Sequence, residues 1–147
     1  MSVSQAFCTS MKVGLLTKLY NLTNSTDTIK LALFRAQASI TSTYGAGTTN
    51  YSDMGADEAS GTNYSAGGSA LTSVTPISSG TTAICDFADL VFSNVTITAS
   101  GALIYDSTAS GAAFLVLNFG ADKTTTAADM TIIFPTADVN NAIIRLV

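Results

Sequence analysis

Short runs of apolar residues, separated by polar residues and glycine, follow one another through most of the chain. TIKLALFRA, which begins at residue 28, is apolar almost throughout, as is typical of a strand buried on both faces. Seven later runs are rich in β-branched or aromatic residues and are bounded by turn-forming residues. They cover residues 70–76, 81–87, 90–99, 101–107, 112–120, 130–135 and 141–147. Such spacing leaves no room for crossover helices and predicts an all-β antiparallel sandwich of about eight strands.

The N-terminal segment has a different period, which predicts one short helix. Ser10 can cap it, and NLTNST at residues 21–26 ends the pattern. The apolar stripe consists of Met11, Leu15, Leu16, Leu19 and Leu22, and Lys12 and Lys18 fall outside it. Two interpretations stay open: a docking arm that presents Leu15 and Leu19 to a neighbouring subunit, or a helix packed over the open end of its own sheet.

The 147 residues fit one domain, with a helical arm at 1–26 and a sandwich at 27–147. Within the sandwich, residues 37–69 show no clear period and are rich in small polar residues. A connection of this length is unusual in a small domain, so we expect it to be functional or mobile. Its acidic group YSDMGADEAS predicts a helical turn.

The end of this loop, GTNYSAGGSAL, contains a glycine cluster that needs an explanation. Gly67 and Gly68 are not followed by a lysine and lead into a strand, whereas a phosphate-binding loop leads into a helix. We therefore predict that these glycines shape the backbone and allow close approach of another surface. Tyr64 is the first candidate for an anchor in a protein interface, with Tyr44 and Tyr51 as weaker candidates. The alternative is that Tyr64 fills the end of the sandwich.

Composition changes the picture of the surface. Charged residues make up 11% of the chain, while Ser and Thr together number 39 and Ala 21. Neutral hydroxyls are cheaper to bury than charges, so this composition predicts wide burial against partner proteins. A monomer with few surface charges is the alternative.

Charge and cysteine content exclude several classes of function. The net charge is −4 and the six cations are scattered, so we expect no nucleic-acid partner. The chain has no run of 18 apolar residues, and its N-terminus lacks the pattern of a signal peptide, which predicts no membrane partner and folding in a cytoplasm. In that compartment Cys8 and Cys85 are expected to be buried thiols rather than a disulfide.

Catalytic chemistry has few candidate residues. There is no His and no G-x-S-x-G pattern, which excludes the usual nucleophile and base pairs. The carboxylate pairs are Asp86 with Asp89 and Asp57 with Glu58, and strand-end capping explains the first pair more simply. Asp53, Asp57 and Glu58 do not match a calcium-binding loop. We predict no enzymatic activity, no cofactor and no metal.

Several segments, in order along nearly the whole chain, resemble a family of small virion structural proteins of tailed bacteriophages. They are SVSQAFCTS, DTIKLALF, GTNYSAGGSALTSVTP, DFAD, TITASGALIYDS, LNFGADKTTTAADMTIIFP and NAIIRLV. The resemblance implies a jelly-roll-like sandwich that forms a dimer or trimer. It also implies that the protein bridges subunits of the major capsid protein. Size and composition suggest the role of a cement or decoration protein on the capsid surface, made in the host cytoplasm.

Two other functions remain open at this stage. A tail, fibre or baseplate adhesion protein would also be a β-protein rich in Ser and Thr. A carbohydrate-acting enzyme would need a carboxylate pair in an aromatic groove, and the absence of Trp weakens that hypothesis.

Overall fold

The computed structural model describes residues 1–23 and 26–147 and consists mainly of antiparallel β-strands. The strands are β1 (Ser2–Val3), β2 (Ala6–Phe7), β3 (Ile29–Phe34), β4 (Thr43–Tyr44), β5 (Ser69–Ala70), β6 (Ser73–Ser79), β7 (Thr82–Phe87), β8 (Leu90–Asp106), β9 (Ala112–Ile132) and β10 (Ile144–Leu146). One α-helix, α1 (Thr9–Leu16), and two 3₁₀ segments, Gln37–Ser39 and Tyr51–Asp57, complete the described part. The predicted all-β class with a short N-terminal helix is confirmed. Residues 24 and 25, at the predicted end of the arm, lie outside the described residues.

The strands form three sheets. The largest has five strands in the order β2-β9-β8-β3-β5, and its neighbours are antiparallel throughout. A second sheet has the order β10-β7-β6, again antiparallel. The short strands β1 and β4 pair in parallel. The C-terminal strand β10 thus lies beside β7, in a different sheet from the long hairpin of β8 and β9.

Two pairs of runs that the sequence predicts as separate strands are continuous. Residues 90–99 and 101–107 are joined in β8 as far as Asp106, and residues 112–120 and 130–135 are joined in β9 as far as Ile132. The pairing of β8 with β9 shifts register at several points. One of these points lies where Val95 pairs with Ala128 and Ile97 with Thr125. The extra residue on β9 forms a bulge in which Ala127 has a φ of 46°. The prediction missed this because residues 121–129 are mainly polar or small and therefore belong to neither apolar run.

The run predicted as one strand at 70–76 is divided between two sheets. Ala70 ends β5 beside β3, whereas β6 starts at Ser73 and pairs with β7. Pro76 lies within β6, which is an edge strand. An edge position tolerates proline because its missing N–H can face away from the ladder.

Helix α1 is shorter than its leucine pattern predicts. Cys8 precedes it as the N-cap residue and makes no side-chain cap, so the predicted cap at Ser10 is wrong. After Thr17 the chain turns at Lys18, whose φ is 59°, and Leu19 N–H donates to the Gly14 carbonyl at 2.9 Å. Together with the bond from Lys18 N–H to Leu15, this is a Schellman ending, with lysine where glycine is usual.

One cluster of buried apolar residues connects these elements. It contains side chains from α1, from the long strands and from the second sheet, for example Met11, Phe34, Phe114 and Phe87. Phe34 and Phe114 are fully buried, and Phe87 packs edge-on against Phe134 at a centroid distance of 5.5 Å. The core therefore spans the sheets instead of stopping at the boundary of one of them.

Candidate interaction surface

The loop at residues 37–69 is ordered around the carboxylate of Asp57. Arg35 Nη2 donates to Asp57 Oδ1 at 2.7 Å, and the Tyr44 hydroxyl donates to Oδ2 at 2.9 Å. The backbone N–H groups of Thr41 and Ser42 add bonds of 3.0 Å. Burial by itself raises the pKa of Asp57, but these donors outweigh it and lower the pKa to about 2. The predicted helical turn is present at Tyr51–Asp57 and ends at this carboxylate.

Glu58, the next residue, holds the second half of the loop. Its Oε2 accepts from the Tyr51 hydroxyl at 2.6 Å, and its Oε1 accepts from the Tyr64 hydroxyl at 2.9 Å and from Gly67 N–H at 2.6 Å. The Gly67 carbonyl in turn accepts from the Tyr105 hydroxyl at 2.8 Å. Burial is the main cause that raises the pKa of Tyr51, and the Glu58 carboxylate is the second cause. Burial is also the main cause that raises the pKa of Tyr64. These hydroxyls therefore stay protonated and serve as internal donors.

Gly67 and Gly68 shape the backbone as predicted. Gly68 has a φ of 66°, and a Cβ at this position would lie 1.7 Å from the carbonyl oxygen of Leu31. Gly67 has a φ of 88°. Because β5 pairs with β3 directly after them, these residues bring the loop into contact with the edge of the five-stranded sheet.

The three tyrosines proposed as anchors have internal roles in the chain. Tyr44 is 2% exposed and its ring packs on Phe34 at 4.5 Å, so its assignment to a surface is wrong. Tyr51 is partly buried and stacks on Tyr105 at a centroid distance of 4.5 Å. Tyr64 packs on the core, and its hydroxyl also accepts from Leu33 N–H at 2.9 Å, as expected of a residue that fills the end of a sheet. A role for Tyr51 or Tyr64 in an interface stays a prediction.

The pair of carboxylates Asp86 and Asp89, considered for catalysis, accepts hydrogen bonds from backbone N–H groups instead. Asp86 is fully buried and accepts from Phe87 N–H and Ile143 N–H, and Asp89 accepts from Phe134 N–H at 2.8 Å. This agrees with the interpretation of strand-end capping. Asp57 and Glu58 face different sets of donors. Among residues 1–23 and 26–147, no group of three or more Cys, Asp or Glu side chains is arranged to hold a metal ion.

The N-terminal leucines line an apolar groove between the α1 region and the second sheet. Leu15 is half-buried against the core, and Leu19 is 55% exposed. The groove has a volume of about 550 Å³, and its other apolar lining residues include Leu22, Pro76, Ile84 and Leu146. Tyr20 fixes the chain beside it, since the ring rests on Gly14, where an added Cβ would lie 2.1 Å from a ring carbon.

Large apolar side chains are exposed on α1 and in the lining of this groove. Leu16 on the outer face of α1 is 89% exposed, and Leu146 near the C-terminus is 56% exposed. Leu16 therefore does not join the buried stripe that the sequence predicts. Sequence reasoning identified Leu15 and Leu19 but missed Pro76, Ile84 and Leu146, because no local pattern places these strands beside the helix.

Cys8 and Cys85 are both buried free thiols, as expected from the sequence. In the described part of the chain, none of the helices has the length and apolar character needed to cross a membrane. Comparison with protein-family models, with curated proteins and with solved structures gave no match. The resemblance to tailed-phage virion proteins therefore stays a prediction from the sequence.

Proposed function

We propose that this protein is a non-catalytic structural subunit of a tailed-phage virion, which decorates the capsid and stabilises the shell by binding the major capsid protein. The observation that carries the proposal is the apolar groove beside α1, with leucines exposed at its margins. Apolar side chains grouped around a groove are typical of a protein-binding surface. The assignment to a virion rests on the sequence resemblance.

Two further features support a structural role over catalysis. The buried carboxylates Asp57 and Asp86 and the half-buried Glu58 accept hydrogen bonds from the chain's own donors. Their oxygens therefore hold loops in place. The low charge of the chain, 11% of residues, also reduces the desolvation cost when a partner covers the surface.

The proposal is tested on particles of the virus that encodes the protein, assembled with the protein and without it. We expect an antibody against the protein to label the capsid, and shells that lack the protein to release their genome at a lower temperature. Adding purified protein to the deficient shells should restore the wild-type release temperature. Labelling confined to the tail would overturn the capsid role and favour a tail, fibre or baseplate protein. Equal thermal resistance of both kinds of shell would overturn the stabilising role.

A further inference from the structure

The apolar groove beside α1 is longer than its main cavity. A smaller cavity of about 160 Å³ shares Leu15, Ile144 and Leu146 with it and continues the groove towards Phe7 and Met11. Residues of β10 therefore line both cavities, together with residues of α1, and the segment after α1 lines the main cavity with β6 and β7. An elongated apolar groove of this kind suits a segment of chain better than a compact small molecule.

Basic residues lie along this groove. Lys18 lines the main cavity, and Lys12 and Arg145 line the smaller one, so three of the six cations in the chain lie here. Lys12 and Lys18 are exposed and have no ion-pair partner among the described residues. Arg145 donates from Nη1 to the Asn140 carbonyl at 2.6 Å and also interacts electrostatically with Asp138. One acidic residue, Asp27, lines the main cavity together with Lys18 and accepts from Asn21 N–H.

This concentration of positive charge contrasts with the net charge of −4 for the whole chain. A second copy whose groove met this groove across a two-fold axis would bring two copies of the same basic surface together, and like charges in an interface are unfavourable. The charge pattern instead complements carboxylates on a different protein.

We propose that the groove binds a segment of a partner protein in which aliphatic side chains are flanked by Asp or Glu. The aliphatic side chains fill the cavity between Leu15, Leu19 and Ile84, and the carboxylates contact the exposed ammonium groups of Lys12 and Lys18. The inference rests on the proposed function in one respect, which is that the segment is taken to belong to the major capsid protein.

Binding of labelled protein to purified shells that lack it tests this inference. Lys12→Glu reverses a charge at the groove, and Leu19→Asp places a carboxylate in it. Lys123→Glu is the matched control, because Lys123 is also exposed but lies on β9 outside the groove. We expect Lys12→Glu and Leu19→Asp to weaken binding by about tenfold or more at low salt, and Lys12→Arg and Lys123→Glu to bind like wild type. Thermal unfolding of each variant verifies that it is folded.

The results separate this inference from the proposed function. If wild type binds shells and both groove variants bind equally well, the groove is not the docking site, although the capsid role stands. If wild type does not bind shells, the capsid role fails, and synthetic peptides of alternating leucine and glutamate, or leucine and lysine, test the groove. Preference for the glutamate peptide, lost in Lys12→Glu but kept in Lys123→Glu, supports the inference. No binding, or preference for the lysine peptide, overturns it.

Discussion

At the scale of single residues, Asp57 is the carboxylate on which the long loop depends most. Its lowered pKa means that the folded state favours the charged form, so its contribution to stability is present above pH 3.8 and is lost as the pH falls towards about 2. Asp57→Asn should lower the free energy of unfolding at neutral pH by about 3 kcal/mol, because Arg35 and several N–H donors lose a buried acceptor. Urea unfolding at a series of pH values measures this, and the gap between wild type and variant should narrow between pH 4 and about pH 2.

Asp122→Asn is the control for this experiment, since Asp122 is exposed and accepts a single bond, from Gln37 N–H at 2.8 Å. It should cost no more than about 1 kcal/mol. Burial raises the pKa values of Asp86 and Asp106, so their contributions to stability change with pH in the opposite direction. Wild type and Asp57→Asn both contain these two residues, so their contributions cancel in the difference between the two free energies of unfolding. A gap that stays constant down to pH 2 would contradict the role given to the Asp57 charge.

Gly68 offers a second test at this scale. Gly68→Ala should destabilise the fold by more than about 2 kcal/mol, because the new methyl group would overlap the Leu31 carbonyl and φ is positive. At Gly47 an added Cβ meets nothing within 4 Å, so Gly47→Ala should change stability by less than about 1 kcal/mol. Thermal or urea unfolding compares the two. Similar effects at both positions would show that the close contact at Gly68 is not needed.

Residue roles were predictable where the cause is local. The glycine cluster indicated a backbone with positive φ, because glycine adopts that conformation without strain. Tyr44 was misassigned because its partners Asp57 and Phe34 lie 13 and 10 positions away, and nothing in the surrounding sequence indicates their approach. Loop tyrosines resemble interface anchors in sequence even when a carboxylate such as Glu58 binds them internally.

At the scale of elements, the bulge in β9 explains how one strand runs through a stretch that resembles a loop. Ala127 is held at a positive φ of 46°, which is unfavourable for a residue with a Cβ. Ala127→Gly should therefore raise stability by up to about 1 kcal/mol, whereas Ala121→Gly, in the same strand without a positive φ, should lower it by about as much. Urea unfolding of both variants is the measurement, and destabilisation by Ala127→Gly would contradict the assignment of a bulge.

The ends of elements were the least predictable feature. The leucine spacing continues past Leu16, but the helix stops because Lys18 adopts the left-handed conformation and Leu19 bonds back to Gly14. Lysine gives no sequence signal for such an ending, unlike glycine. The interiors of β3 and β7 were correctly located, since continuous apolar or β-branched runs mark them directly.

At the scale of the whole molecule, strand identity and strand order have different origins. Apolar runs and turn residues indicate that strands exist, and the all-β class followed from them. The pairing of β10 with β7 joins Ile144 to Cys85, and the groove forms because α1 lies beside that pair. Contacts between such distant segments depend on the complete core. The apolar groove with its basic residues was consequently invisible in the sequence, although most of its leucines were noted.

The two buried thiols can test whether the sheets unfold together. Cys8 precedes α1 and contacts the large sheet through its N–H bond to Phe114, while Cys85 lies in the second sheet, and both belong to the same core cluster. Burial raises the pKa of each thiol to about 11, so neither forms much thiolate at neutral pH in the folded state. We expect both to react slowly with a thiol reagent and to become reactive over the same range of urea as global unfolding, followed by mass spectrometry of the labelled peptides. Labelling of Cys85 at urea concentrations that leave Cys8 protected would mean that β6, β7 and β10 open separately, and the groove they share with α1 would then be disrupted before the large sheet unfolds.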